Sequence, residues 1–168
     1  KGGVFRSIDG GRTWNKMDKG LPKTIGRIGL AVSASNPNVV YAILEAKEGT
    51  LYRSDDKGEN FRQVYRQQNI VGRGFYYTTV KVDATDENKV YAVASPLFKS
   101  LDGGRNFQRI APNVHIDYHA LWIDPKNPQR FRVPKFGNPP GSGAGTTGFQ
   151  STNAKANRKN PRSRAAPL

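Results

Sequence analysis

The only two histidines of the chain stand close together, in the run His115-Ile-Asp-Tyr-His119. On a β-strand, residues at i, i+2 and i+4 share one face, so His115, Asp117 and His119 are expected to point the same way. Two imidazoles and a carboxylate could hold Zn²⁺ or position a water. The alternative is a polar cluster in which Asp117 orients a histidine that contacts a ligand. Since this spacing is not diagnostic of a metal site, we predict no metal and no cofactor, and Asp117 stays a candidate catalytic acid.

A second group of functional side chains, Arg73, Tyr76 and Tyr77, precedes the corresponding strand one repeat earlier, and Arg27 stands at a similar place one repeat before that. Arginine and tyrosine suit carbohydrate or peptide binding, through stacking and multiple hydrogen-bond donors. The alternative is a packing contact between repeats, because arginine commonly covers aromatic rings. The predicted ligand-binding residues are Arg27, Arg73, Tyr76, Tyr77, His115, Asp117 and His119.

A third set of carboxylates recurs in an eight-residue pattern, Ser-x-Asp-x-Gly-x-(Thr/Asn)-(Trp/Phe), which we call the box. Its copies start at residues 7, 54 and 100. A carboxylate present in every repeat cannot lie at one catalytic site, so we predict a structural turn rather than catalysis or calcium binding. The Asp accepts backbone hydrogen bonds, the Gly adopts positive φ, and the aromatic pins the returning strand. The predicted structural residues are Ser7, Asp9, Gly11 and Trp14; Ser54, Asp56, Gly58 and Phe61; and Ser100, Asp102, Gly104 and Phe107.

Short strands must position these residues. Apolar and polar residues alternate on both sides of each box, which predicts half-buried strands joined by the box as a hairpin loop. These strands are expected at 3–6, 14–17, 50–53, 61–64, 96–99 and 107–110. Further strands are expected at 28–32, 39–43, 78–82, 89–93, 119–123 and 130–133. Four antiparallel strands in a period of 46 or 47 residues have the size of one β-propeller blade.

The predicted fold is therefore all-β, a partial propeller of about two and a half four-stranded blades in residues 1–132. Propellers close with about four to eight blades, because closure hides the sheet edges. We expect a fragment of a longer chain, or a chain that completes its ring with another copy. Residues 133–168 form a low-complexity basic tail, which is predicted to be disordered or to result from a frame shift near Arg132.

Composition excludes several classes of protein. The chain has 168 residues and no cysteine, so disulfides and thiolate sites are absent. The chain contains no run of 18 apolar residues, so the sequence predicts no membrane span. The net charge is +14, and residues 133–168 contain six basic and no acidic residues. Without a stacking motif or a recognition helix, this charge does not predict nucleic-acid binding.

The box resembles the Asp-box, or bacterial neuraminidase repeat, of sialidases, xyloglucanases and sortilin-type receptors. Four runs look like the large sortilin-like (VPS10-type) propellers of bacteria, which are often labelled glycosyl hydrolases: Leu51-Tyr-Arg-Ser-Asp-Asp56, Gly72-Arg-Gly-Phe-Tyr-Tyr77, Phe98-Lys-Ser-Leu-Asp-Gly-Gly104 and His119-Ala-Leu-Trp-Ile-Asp-Pro125. The resemblance covers residues 1 to about 131 and implies a secreted or periplasmic location. After Phe131 that family continues with a Gly-Asn-Asp-Gly-Gly turn, whereas this chain runs Arg132-Val-Pro-Lys-Phe.

Two functions remain open at this point. The first is a scaffold that binds a protein or a glycan, with the remaining blades of a longer chain as partners. The second is part of a sialidase-like or xyloglucanase-like glycoside hydrolase. Such an enzyme needs a second carboxylate roughly 5–10 Å from Asp117.

Overall fold

The computed structural model describes residues 2–72, 77–110 and 118–133, together with the backbone of residues 149–151. In this part of the chain the strands form four antiparallel sheets. The strands are β1 (Phe5–Arg6), β2 (Asn15–Lys16), β3 (Ile28–Val32), β4 (Val40–Leu44), β5 (Leu51–Ser54), β6 (Arg62–Tyr65), β7 (Thr79–Val82), β8 (Val90–Val93), β9 (Leu97–Ser100), β10 (Gln108–Arg109), β11 (Trp122–Ile123), β12 (Arg130–Arg132) and β13 (Phe149–Ser151). One 3₁₀ turn, Gln68–Ile70, follows β6.

Two of the sheets are complete four-stranded blades. Strands β3-β4-β5-β6 form the first blade and β7-β8-β9-β10 form the second, each in sequence order. The pair β1–β2 and the sheet β11-β12-β13 flank them. Each box joins an antiparallel pair, namely β1–β2, β5–β6 and β9–β10, so the predicted hairpins and the all-β propeller architecture are confirmed. Within the described residues, no helix is long and apolar enough to cross a bilayer.

The strand register decides which residues face the neighbouring sheet. In the first blade Ala42 lies opposite Leu30 and Tyr52, so these three side chains share one face. Tyr41 and Arg53 are opposite each other and belong to the other face. Each face of a blade therefore presents its own set of side chains to the blade before it or after it.

Three clusters of buried residues lie between successive sheets. One cluster joins the β1–β2 hairpin to the first blade through Val4, Ala42, Leu44, Tyr52 and Phe61. A second joins the two blades through Tyr41, Ile43, Leu51, Val80, Val90 and Phe98 among others. A third joins the second blade to the sheet that follows it through Tyr91, Val93, Leu97, Tyr118, Leu121, Phe131 and Val133.

The prediction that the strands preceding the boxes are half-buried is wrong for β5. All four residues of Leu51–Ser54 are buried, because neighbouring sheets cover both faces of the blade. The charged member, Arg53, is accommodated by hydrogen bonds rather than by solvent. Its Nη1 donates to the Tyr41 hydroxyl and to Asn88 Oδ1, both at 2.8 Å, and its Nε donates to Asp55 at 2.7 Å.

The prediction that all three box aromatics pin their strands inside the fold is also wrong, since Trp14 does not. Phe61 is 5% exposed and packs under the β1–β2 hairpin. Phe107 packs against the first blade and makes an edge contact with Tyr65, at 5.0 Å between ring centroids. Trp14 is 61% exposed, because no described residue supplies a sheet on its side of the hairpin.

Strand β13 lies within the stretch predicted to be a disordered tail. It pairs antiparallel with β12, with Phe131 opposite Gln150. The backbone of β12 offers an open edge, and edge pairing needs no particular side-chain pattern. The composition of residues 133–168 therefore gave no signal for it.

Candidate functional site

The chain path separates two ends of each blade. Each four-stranded sheet is a meander, so its first strand starts at the same end as the loop between its second and third strands. The box, between the third and fourth strands, lies at the opposite end. The two blades run the same way, since a Cβ at Gly29, near the start of β3, would lie 3.2 Å from the backbone of Thr79, which begins β7.

At the box end, one hydrogen-bond network is repeated three times. In the first box Ser7 Oγ donates to Asp9 Oδ1 at 2.7 Å and accepts from the Gly11 N–H at 2.8 Å. Thr13 then donates to both carboxylate oxygens of Asp9, through its N–H at 2.9 Å and its hydroxyl at 2.6 Å. Asn60 and Asn106 do the same to Asp56 and Asp102 in the other two boxes.

These hydrogen bonds hold the box carboxylates ionised. The Thr13 side chain, followed by its backbone N–H, is the main cause that lowers the pKa of Asp9 to about 2. Asn60 has the same effect on the pKa of Asp56, which also falls to about 2. For Asp102 partial burial raises the pKa, but the hydrogen bonds from Asn106 and Ser100 outweigh it and bring the value to about 2. Carboxylates of this kind carry no proton to donate near neutral pH.

At the opposite end, Tyr77 and His119 come together. Their rings stack with centroids 4.1 Å apart and planes 29° from parallel. Tyr77 precedes β7 and is buried, whereas His119 precedes β11 and is exposed. The stack therefore joins the second blade to the sheet that follows it. The other predicted ligand residues of this region, Arg73, Tyr76, His115 and Asp117, lie outside the described residues.

Arg27 occupies the same end of the first blade, directly before β3, and is exposed. Its backbone N–H donates to Glu45 Oε2 at 3.1 Å, and its carbonyl accepts from the Glu45 N–H at 2.9 Å. A Cβ at Gly26 would collide with the Glu45 carboxylate, so glycine at that position lets the carboxylate approach the backbone. Both the carboxylate and the backbone N–H of Glu45 are thus hydrogen-bonded to the Arg27 backbone.

A groove of about 760 Å³ opens beside this pair. Its lining residues are Thr24, Gly26, Glu45, Ala46, Lys47, Glu48 and Gln68. The sequence analysis did not single out Glu45 and Glu48, and it named Asp117 as the candidate catalytic acid. The predicted strand order could have placed them, because the loop between the second and third strands of a meander lies at the end where the first strand starts. Glu45 and Glu48 belong to that loop. In the described part of the chain, no group of three or more His, Asp or Glu residues is arranged to hold a metal ion.

The sequence matches no family model and no curated protein. Several solved structures are similar in fold. The GH74 enzyme of Niastella koreensis matches 80% of this chain with a TM-score of 0.65 and 18% identity. The GH74 xyloglucanase of Xanthomonas campestris matches 79% with a TM-score of 0.61 and 20% identity, and an ancestral GH74 enzyme matches 79% with a TM-score of 0.55 and 20% identity. The chain spans 23%, 22% and 19% of the length of these enzymes, respectively. Its fold is that of a β-propeller.

Proposed function

We propose that this chain is a ligand-binding part of a β-propeller, related to sortilin-like propellers, that binds a protein or a glycan at the end where the blades begin. The observation that carries the proposal is the Tyr77–His119 stack, which joins two sheets at that end. The rest of the ring comes from further blades, and a secreted or periplasmic location follows from the same relationship. Nucleic acid is not among the proposed ligands.

The chemistry of this end suits a polar, ring-containing ligand. The exposed His119 ring, backed by the buried Tyr77 ring, offers aromatic surface on which sugar rings and peptide groups can stack. The groove beside Arg27, at the same end of the first blade, supplies carboxylates from Glu45 and Glu48, an ammonium from Lys47 and an amide from Gln68. A concave site with a few converging polar groups is the usual form of a small-ligand site.

The box end, in this proposal, is structural. The hydrogen bonds from Ser100 and Asn106 engage both oxygens of Asp102, and the other two boxes repeat the arrangement. A carboxylate whose oxygens are engaged within its own turn is poorly placed to contact a ligand. The two ends of the blade thus differ in role as well as in position.

The test compares two exposed arginines at opposite ends, Arg27 and Arg12. Calorimetric titration with xyloglucan oligosaccharides and with extended peptides is expected to show binding to the unmodified chain. Arg27→Ala and His119→Ala are expected to weaken it at least about 10-fold, which corresponds to about 1.4 kcal/mol. Arg12→Ala, at the box end, is the matched control and leaves the affinity unchanged. Equal losses for Arg12→Ala and Arg27→Ala would contradict the proposal.

The alternative function is glycoside hydrolysis. The GH74 likeness in fold favours it, and Glu45 supplies an acid at the same end as His119. Two carboxylates roughly 5–10 Å apart would be needed, and Asp117 is the other candidate. Release of reducing sugar from xyloglucan, abolished in both Glu45→Gln and Asp117→Asn, would establish the enzyme. Activity that survives both substitutions would exclude these residues as its acids.

A further inference from the structure

Two acidic side chains at the end where the blades begin have no cationic partner. Glu45 and Glu48 form no ion pair with any residue that the structure describes. Most other described acids outside the boxes are paired: Asp18 with Lys16, Asp55 with Arg53 and Arg62, Glu59 with Arg6, Asp83 with Lys89, and Asp124 with Arg130. Since the chain has 27 Lys and Arg residues against 13 Asp and Glu residues, two uncompensated carboxylates in one loop call for an explanation.

Both carboxylates line the same groove, the one of about 760 Å³ beside Arg27. Among the seven residues that line it, Lys47 carries the only positive charge, so two carboxylates and one ammonium give a net charge of −1. The whole chain carries +14. A cleft lined by one sign of charge concentrates ligands of the opposite sign. The groove is therefore an acidic site on a strongly basic chain.

The loop that carries the two acids is held from two sides. Gln68 Nε2 donates to the Ala46 carbonyl at 2.9 Å, and Gln63 Nε2 donates to the Glu48 carbonyl at 2.6 Å. A Cβ at Gly49 would collide with the Gln63 amide, so glycine lets this amide approach the loop. A loop that is already ordered loses less conformational entropy when a ligand binds to it.

The two carboxylates also keep unused acceptor atoms. Glu45 Oε2 accepts from the Arg27 N–H at 3.1 Å, whereas Glu45 Oε1 accepts no hydrogen bond from the described residues. The Glu48 carboxylate accepts none from them either, and Glu48 is exposed. Because an ionised carboxylate offers about four lone-pair sites, both side chains have room for donors from a ligand.

A guanidinium group suits these acceptors best. It offers five N–H donors in a planar fork, it is always charged, and it is more weakly hydrated than an ammonium ion. Hydrogen bonds between charged partners are roughly twice as strong as neutral ones, so a neutral glycan would compensate these charges less well. Within the part of the chain that the structure describes, no third His, Asp or Glu joins the two acids to form a metal site.

The charge of the whole chain limits how basic the ligand can be. A net charge of +14 repels a polybasic ligand at long range. At physiological ionic strength this repulsion is screened beyond about 8 Å. Direct hydrogen bonds act over about 3 Å and are screened much less. A single arginine among neutral residues therefore gains the local contacts with little of the repulsion.

We propose that the groove beside Arg27 binds a peptide segment that carries one arginine, whose guanidinium is held by the carboxylates of Glu45 and Glu48. The Lys47 ammonium donates to a carbonyl of the same peptide. This inference rests on the proposed function, because it names the class of ligand bound at that end of the blades.

Calorimetric titration of the full chain at physiological salt tests the charge of the ligand. The probe is a short alanine peptide with one central arginine and with both termini blocked. The same peptide with citrulline in place of arginine keeps the shape and hydrogen-bonding fork but is neutral. The citrulline peptide is expected to bind at least about 10-fold more weakly, since it loses the charge-assisted hydrogen bonds.

Substitutions in the groove test the two carboxylates. Glu45→Gln and Glu48→Gln remove the charge and keep the shape, and glutamine at the first position can still accept from the Arg27 N–H. Each is expected to weaken the arginine peptide at least about 10-fold and to leave the affinity for the citrulline peptide nearly unchanged. The Glu48 side chain is exposed, so its substitution does not disturb the packing of the fold.

Glu87→Gln is the matched control. Glu87 is half-buried like Glu45 and also lacks an ion pair with the described residues, but its loop, between β7 and β8, lies at the box end. The substitution changes the net charge by the same amount, so the affinity for the arginine peptide should stay as in the unmodified chain.

Three results would overturn the proposal: equal affinities for the arginine and citrulline peptides, full affinity in both Glu45→Gln and Glu48→Gln, or an equal loss in Glu87→Gln. Xyloglucan oligosaccharides that bind through Arg27 and His119, with no binding of the arginine peptide, would also overturn it and would leave the proposed function standing. No binding of any ligand would contradict both.

Discussion

The three box carboxylates behave as fixed acceptors. Asp102 accepts from the Ser100 hydroxyl, from the Arg105 and Asn106 N–H groups and from the Asn106 side chain, at 2.7–3.0 Å. The sequence predicted such a turn, since Asp, Gly and a hydroxyl recur at fixed spacing. It did not indicate that Thr13, Asn60 and Asn106 clamp the second oxygen, because those residues are also common in unstructured loops.

Removing one of these acceptors should destabilise the fold. Asp102→Ala leaves the donors of Ser100 and Asn106 without their partner, so the free energy of unfolding is expected to fall by about 2 kcal/mol. Asp86→Ala is the control, because Asp86 accepts only the Asn88 N–H, at 2.9 Å, among the hydrogen bonds described for its carboxylate. Urea denaturation of both variants measures the difference. A loss for Asp102→Ala no larger than for Asp86→Ala would contradict the network's role.

The same carboxylates predict an acid-sensitive fold. Their pKa values of about 2 lie below the ordinary value of 3.8. The stability that they contribute is therefore fully present above pH 3.8 and is lost as the pH falls through 2. Urea midpoints at pH 5 and at pH 2.5 should show a smaller decrease for Asp102→Ala than for the unmodified chain. Equal decreases of the urea midpoint in Asp102→Ala and in the unmodified chain would show that protonation of Asp102 does not contribute to the loss of stability in acid.

At the scale of elements, the junction between the two blades combines an apolar cluster with the buried hydrogen bond between Arg53 and Tyr41. The Tyr41 hydroxyl accepts from Arg53 and donates to the Glu87 carbonyl at 2.9 Å, and so links β4, β5 and the loop before β8. Burial is the main cause that raises the pKa of Tyr41. The hydroxyl therefore stays protonated and donating at neutral pH.

Tyr41→Phe should lower the free energy of unfolding by about 1–2 kcal/mol, because Arg53 and the Glu87 carbonyl then lose a buried partner. Tyr91 holds the equivalent place in β8, with Lys99 Nζ 5.8 Å from its ring centroid. Burial raises the pKa of Tyr91 to about 12. Tyr91→Phe keeps the ring and serves as the control with a smaller loss. Thermal unfolding of Tyr41→Phe and Tyr91→Phe measures the two losses of stability. A larger loss for Tyr91→Phe than for Tyr41→Phe would refute the bridging role of Tyr41.

These elements show how far the sequence determines the fold. Strand β3 was predicted at its observed bounds, because Ile28–Val32 is bounded by clear turn residues. The complete burial of β5 was not predictable from alternation, since burial on both faces depends on the neighbouring blade. The exposure of Trp14 has the same origin, because its pattern matches Phe61 and Phe107 while its surroundings differ.

At the scale of the whole molecule, the proposal assigns a structural role to one end of the blades and ligand binding to the other. The boxes recur at one end of the blades, whereas Arg27, Tyr77 and His119 lie at the other and belong to no pattern that all three boxes share. The same residue types are expected to recur where every blade makes the same packing contacts. Different residue types are expected where the blades together bind one ligand. Sequence spacing predicted both sets of residues, but the groove beside Glu45 became visible only from the path of the chain.

The proposed binding end is tested most directly by mapping ligand contacts on the ¹⁵N-labelled full chain by NMR. Titration with xyloglucan oligosaccharides and with extended peptides is expected to shift the amides of Gly26, Arg27, Glu45, Tyr77 and His119. The box amides of Gly11, Gly58 and Gly104 are expected to stay in place. Shifts concentrated at those glycines, or no shifts with any ligand of the panel, would contradict the account.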